Sequence, residues 1–229
     1  MKEKFTILCV DDEEEILHSL KRSLMLEGYE VLTASSGAEG LKLLEKHKVD
    51  LVISDQRMPH MPGFEFLRIV RERYPQVMRI MLSGYSDFDG LVQTINEGEI
   101  FRFLSKPWNL AELRRIVQVS LEQNSLTHQI VATLRHFQES GGFMKDFVVE
   151  QSQEQNVIIL KVSLNHRITS VKEIIDFFEL LLDVLGVNKK DGLAVMMNAI
   201  SKNKDKVIFT IDLGKGVALK IELPAVNIL

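Results

Sequence analysis

The stretch LVISDQRMPHMPG, Leu51 to Gly63, starts as a short apolar run and stops at an acid, Asp55, followed by two prolines and a glycine. LVIS reads as a fully buried strand, and MPHMPG reads as the turn that ends it. An acid placed where a buried strand stops needs either a partner or a purpose, because an uncompensated carboxylate at the edge of a core is costly.

Working outward, the first 120 or so residues repeat this plan. Apolar β-like runs lie at Phe5–Val10, Tyr29–Ala34, Asp50–Ser54, Val77–Leu82 and Phe101–Leu104. Between them, apolar residues three or four apart predict helices at about 14–27, 37–47, 64–73, 88–97 and from 109 onward. Parallel strands need crossover connections, so strict βα alternation predicts a doubly wound α/β domain with a five-stranded parallel sheet. Ligands in such sheets bind beyond the carboxyl ends of the strands, at the point where strand order reverses. The residues reaching that rim are Asp11 and Asp12 after the first strand, Asp55 after the third, Ser83 after the fourth and Lys106 after the fifth.

Three carboxylates at one rim repel one another unless a cation lies among them. Oxygen ligands with room for water suit Mg²⁺, and Lys106 adds a second positive charge facing the same point. Such a site favours phosphoryl chemistry, with Asp55 as the nucleophile that forms an acyl phosphate. The prolines of MPHMPG shape a turn that brings backbone groups toward the metal.

These residues resemble a known family. CVDDEE, ISDQRMPHMPG, MLSGYSD and FLSKPW occur in the order and spacing of the receiver domain of two-component response regulators, over residues 1 to about 122. The resemblance implies a flavodoxin-like fold and a phosphoryl group passed from the histidine of a cognate kinase to Asp55. It implies Mg²⁺ held by Asp12, Asp55 and the backbone carbonyl of Arg57, with Asp11 assisting. It further implies Ser83 and Lys106 on phosphoryl oxygens, a cis Lys106–Pro107 peptide, and Phe103 as the ring that follows Ser83 when the switch is thrown. Serine stands in place of the commoner threonine, and Arg57 and Tyr85 occupy flanking positions that in receivers tune hydrolysis. Trp108 reads as packing for the last helix or as a mark of attachment to a larger signalling protein.

From Asn109 no proline or glycine intervenes before Gly141, which predicts a helix of about thirty residues, longer than one receiver covers. Ile116, Val119, Gln123, Leu126, Ile130, Thr133 and Phe137 form a heptad-like seam, read either as a homodimer contact through the 109–139 helix or as packing against the chain's own second half. Gly141–Gly142 marks a boundary. The expected division is a receiver at 1–122, a helical linker at 123–142 and a small α/β module at 143–229. The module is expected to hold a strand at Val157–Leu164, helices at about 169–185 and 191–202, and a hairpin of Lys206–Asp212 with Val217–Leu223.

Composition limits the output. The net charge is −4, while residues 143–229 carry 11 basic and 11 acidic residues and are neutral. Nucleic acid is therefore not the expected partner, and an unknown protein partner or altered dimerisation is. The basic run Lys202–Lys206 reads as a solvated turn. LNHRITSVKEII resembles the phosphoacceptor helix of histidine kinases with His166 at the histidine position, but Arg167 replaces the usual acid. GKGVALKIELP and Asn198 faintly resemble a kinase ATP-binding domain without its glycine-rich boxes. An alternative is thus a phosphorelay protein whose second half uses His166. The lone Cys9 reads as a core residue, and the absence of long apolar runs fits a cytoplasmic protein without membrane contact.

Overall fold

The computed structural model describes residues 4–84, 102–141, 144–151, 157–164, 171–185, 201–203, 206–213 and 217–224. The expected helix at 88–97, most of that at 191–202, the loop 214–216, and Tyr85, His166 and Asn198 lie outside the described residues. The chain divides into two compact units, residues 1–121 and 122–229.

In the first unit β1 (Thr6–Val10), α1 (Glu14–Met25), β2 (Glu30–Ala34), α2 (Gly37–Lys46), β3 (Leu51–Asp55), α3 (Gly63–Arg73), β4 (Met78–Gly84) and β5 (Arg102–Lys106) follow in order. The sheet runs β2-β1-β3-β4-β5 with every pair parallel, so strand order reverses between β1 and β3. β1 and β3 are buried along almost their whole length, which is why they read as apolar runs without alternation. One sheet face packs Ile7, Cys9, Leu51 and Ile53 against Leu17, Leu20 and Leu24 of α1. The other packs Leu8, Val10 and Val52 against Leu44 of α2 and Phe66, Leu67 and Val70 of α3. Each fully buried Leu, Ile or Phe side chain contributes about 1.5–3 kcal/mol. Ser36 caps α2 by accepting the Glu39 N–H, while Glu39 accepts the Ser35 N–H and hydroxyl, a reciprocal arrangement that fixes the helix start.

The long helix, α4 (Leu110–Glu139), is one uninterrupted element, capped by the Asn109 side chain on the Glu112 N–H. Its first turns contribute Leu113, Ile116, Val117 and Leu121 to the core of the first unit, beside the half-buried Trp108. Trp108 thus serves the packing role expected of it.

The second unit is built from β6 (Met144–Gln151), β7 (Val157–Leu164), α5 (Val171–Val184), β8 (Ser201–Asn203), β9 (Lys206–Asp212) and β10 (Ala218–Pro224). Its sheet runs β6-β7-β10-β9-β8, with β7 and β10 parallel and the other neighbours antiparallel. Ile158, Leu160 and Val162 on β7 alternate inward, as do Leu219, Ile221 and Leu223 on β10, against Phe177, Phe178, Leu181 and Leu182 of α5. The Phe178 and Phe209 rings lie 4.7 Å apart. The alternate positions include charged pairs: Lys161 pairs with Glu150 at 2.7 Å and Lys220 with Glu222 at 2.9 Å.

Two features of this half differ from the expected elements. β6 adds a strand before those expected. Ser201 and Lys202, placed at the end of a helix by periodicity, lie in β8. Of the two readings of the heptad seam, packing against the chain's own second half is the one seen over residues 126–137. Ile130 and Leu134 are fully buried in the second unit's own core, with Leu126 and Phe137 packed against it and the Phe137 and Phe177 rings 5.3 Å apart. Residues 122–139 therefore form one wall of the second unit, and the apolar seam positions Leu126, Ile130 and Phe137 pack within the chain.

Candidate functional site

The reversal of strand order leaves a crevice at the carboxyl ends of β1 and β3. Val10 lies opposite Ser54, so the next residues along, Asp11 and Asp55, emerge side by side. Asp55 lies opposite Leu82 on β4, and Gly84 opposite Lys106 on β5, which brings the fourth and fifth strands to the same rim. Asp55 and Lys106 are the last residues of their strands and Ser83 the last but one, so the strands run one or two residues beyond the ends expected from the apolar runs.

Asp11 is fully buried, and Asp55 and Ser83 nearly so. The Lys106 ammonium lies between the carboxylates, 2.6 Å from Asp55 Oδ1 and 3.0 Å from Asp11 Oδ2. The remaining acceptors are also engaged: Asp11 Oδ1 accepts the Glu13 N–H at 3.0 Å, and Asp55 Oδ2 accepts the Arg57 N–H. Burial raises the Asp11 carboxyl above its ordinary range; the Glu13 N–H and Lys106 pull it part of the way back, and the Asp55 charge pushes it up. Burial alone would lower Lys106, but its bonds to Asp55 and Asp11 outweigh that and hold its ammonium above the usual lysine value. One cation thus makes two adjoining acids tolerable.

Asp12 is exposed just beyond β1, and the Ser83 hydroxyl reaches the Gly84 carbonyl at 3.3 Å. Phe103 is half-buried and packs on the core beneath α2 and α3. The Lys106–Pro107 peptide is cis. Asp11, Asp12, Asp55, Ser83 and Lys106 therefore lie at the rim of the sheet or immediately beside it, and Phe103 lies three residues back along β5.

Between β3 and α3 the chain turns through residues 56–62. Met58 is buried and anchors the turn, whereas Arg57 and His60 are exposed and His60 adopts a φ of 67°. The Gly63 N–H donates to the Gln56 carbonyl at 3.0 Å, and a Cβ on Gly63 would come within 2.0 Å of the Asp55 carbonyl oxygen. Backbone that close cannot yield, so only glycine closes the turn. The chemistry of the donor set fits a hard divalent cation: carboxylates stand at the ends of β1 and β3, with Asp12 exposed beside them. Among the described residues no group of three or more histidine, cysteine, aspartate or glutamate side chains is gathered as a ready cage.

Two contributors escaped the motif reading. Glu13 places Oε1 4.0 Å from Lys106 Nζ, and Gln56 bonds the start of α3. Both directly follow motif acids, and adjacency was the only sequence signal for either.

The family described as response regulator receiver domain matches residues 7–118. The hydrogenase transcriptional regulatory protein HoxA of Cupriavidus necator is 40% identical over 121 residues, 53% of this chain and 25% of that protein. The transcriptional regulatory protein GlrR of Escherichia coli strain K12 is 39% identical over 119 residues, 52% of this chain and 27% of that protein. The chain thus spans about a quarter of the length of these relatives. Among solved structures, a response regulator receiver domain protein from Clostridium thermocellum is 35% identical, with a TM-score of 0.51, covering 53% of this chain and 98% of that one. A CheY-like receiver domain protein from Methanospirillum hungatei is 32% identical, with a TM-score of 0.51, covering 54% of this chain and 98% of that one.

Proposed function

Residues 7–118 belong to the response regulator receiver family, and on that footing we propose that the chain is a phosphoacceptor switch operated at Asp55 by a cognate histidine kinase. The observation that carries this reading is the placement of Lys106 within 2.6 Å of Asp55 and 3.0 Å of Asp11 at the reversal point of the sheet. An oxygen of Asp55 attacks the phosphorus of a phosphohistidine; the new P–O bond forms as the P–N bond breaks, and the departing imidazole nitrogen takes up a proton. Asp12, Asp55 and the Arg57 carbonyl would hold Mg²⁺, with Asp11 assisting, and the ion would neutralise charge on the transferring oxygens. Lys106 binds a phosphoryl oxygen and Ser83 binds another. Phosphate adds a charge of about −1.5 to −2, so Ser83 is drawn toward it and Phe103 follows into the space released.

The output module, residues 143–229, acts by contact with another protein or by altered self-association, in the cytoplasm. Its neutral charge supports this over DNA binding, as do the acid–base pairs on its sheet. Among the described residues no helix is long and apolar enough to cross a membrane. Beryllofluoride with Mg²⁺ tests the switch by imitating the phosphoryl group. The fluorescence of Trp108, the sole tryptophan, should change in the wild type and not in Asp55→Asn. An unchanged wild-type signal, together with unchanged amide exchange around Ser83, would count against the proposal.

A further inference from the structure

Gln56 makes three bonds across the turn that follows the phosphoacceptor. Its N–H donates to the Leu82 carbonyl on β4 at 3.0 Å, its carbonyl accepts the Gly63 N–H at 3.0 Å, and its side-chain Oε1 accepts the Phe64 N–H at 3.1 Å. The third bond has a specific use. Pro62 occupies the N-cap position of α3 and provides no side-chain bond, so an orphan N–H of the first turn finds its acceptor eight residues upstream. Residues 57–62 are thereby closed at both ends on one residue.

That closure bears on the site through two neighbours. Arg57, next in sequence, donates its N–H to Asp55 Oδ2, so the peptide entering the turn is already tied to the reacting carboxylate. Gly63 approaches the Asp55 carbonyl so closely that slackening at the far end of the turn is felt by the Asp55 backbone. We propose that Gln56 is a positioning residue for the cation: its side-chain carbonyl holds the turn closed and so keeps the Arg57 carbonyl in place for a hydrated divalent ion. This rests on the metal assignment in the proposed function. Gln56 touches no reacting atom and acts through Arg57.

The test is binding of Mn²⁺, an oxygen-seeking octahedral stand-in for Mg²⁺, to the full chain without any phosphodonor. The readout is loss of the free-ion paramagnetic resonance signal, and thermal unfolding is measured alongside. Gln56→Met keeps the length of the side chain and removes only the acceptor, and should weaken binding about three- to tenfold, the range one lost cap is able to transmit. Gln56→Glu restores an acceptor at the same reach and should bind at least as tightly as wild type. The proposal is overturned if Gln56→Met melts lower yet binds Mn²⁺ like wild type, or if both variants weaken binding equally. A wild type that binds no Mn²⁺, or binds it equally well as Asp55→Asn, fails the underlying metal assignment instead, which separates the two ideas.

Discussion

Replacing Lys106 with methionine removes the one charge that reconciles Asp11 with Asp55 while keeping the bulk of the stem. At an effective dielectric of about 20, a charge pair near 3 Å interacts by roughly 5 kcal/mol, and Lys106 makes two such contacts. The desolvation of lysine offsets much of this, and its side chain is 21% exposed, so water partly replaces it. The expected net loss is about 2–3 kcal/mol at pH 7 without divalent ions, toward the lower end of what removing one member of a buried pair costs. Urea unfolding followed by Trp108 fluorescence isolates the first unit, since that residue packs in its core. The pH dependence has a definite sign. Asp11 is raised in the fold, and losing Lys106 raises it further. A group with a raised folded pKa binds its proton more tightly when folded, so the variant regains stability as pH falls through the Asp11 range. Mg²⁺ should narrow the deficit at pH 7. A deficit under about 0.5 kcal/mol at pH 7, or one equally large at pH 4, would refute the idea that this ammonium compensates the two acids.

Gly63→Ala should destabilise the first unit by more than about 2 kcal/mol, because the new methyl meets backbone rather than a movable side chain; denaturant midpoints measure it. Ile130→Ala should cost the second unit about 2–4 kcal/mol, as for a buried apolar truncation. That loss should appear in circular dichroism melting and leave the Trp108 transition in place, whereas a solvent-facing dimer seam would show a concentration-dependent midpoint instead. Burial, and then the Asp11 charge, push the Cys9 thiol from 9.0 up to about 12. The unfolded thiol therefore ionises first, and stability falls by about 1.4 kcal/mol per pH unit between pH 9 and 12. Comparing melts of wild type and Cys9→Val at pH 8 and 10 isolates this slope, which the valine variant lacks.

The first unit was legible because its central strands are buried on both faces and its strands end on polar residues. Apolar runs such as ILCV and LVIS could pack only in a covered parallel sheet, and Asp11, Asp55, Ser83 and Lys106 stood at their ends. The second unit was less legible, for identifiable reasons. β6 is an edge strand whose charges, Lys145, Asp146 and Glu150, and whose register shift near Met144 blur its alternation. The seam along α4 has the period of an interhelical contact, but periodicity reports only that one face of a helix is covered and not by what. Here Phe177 and the β-sheet residues share a core with Ile130 and Leu134. Gln56 and Glu13 were passed over because a polar residue beside a motif has no pattern of its own; their bonds exist only once the turn and α1 are folded.

The most direct test of the central claim is intact-mass analysis after incubation with acetyl phosphate. Wild-type protein should gain a single phosphoryl group that requires Mg²⁺, is labile in base, and is absent from Asp55→Asn. Wild-type protein that stays unmodified with Mg²⁺ present, or Asp55→Asn protein that gains the same mass, would contradict the claim.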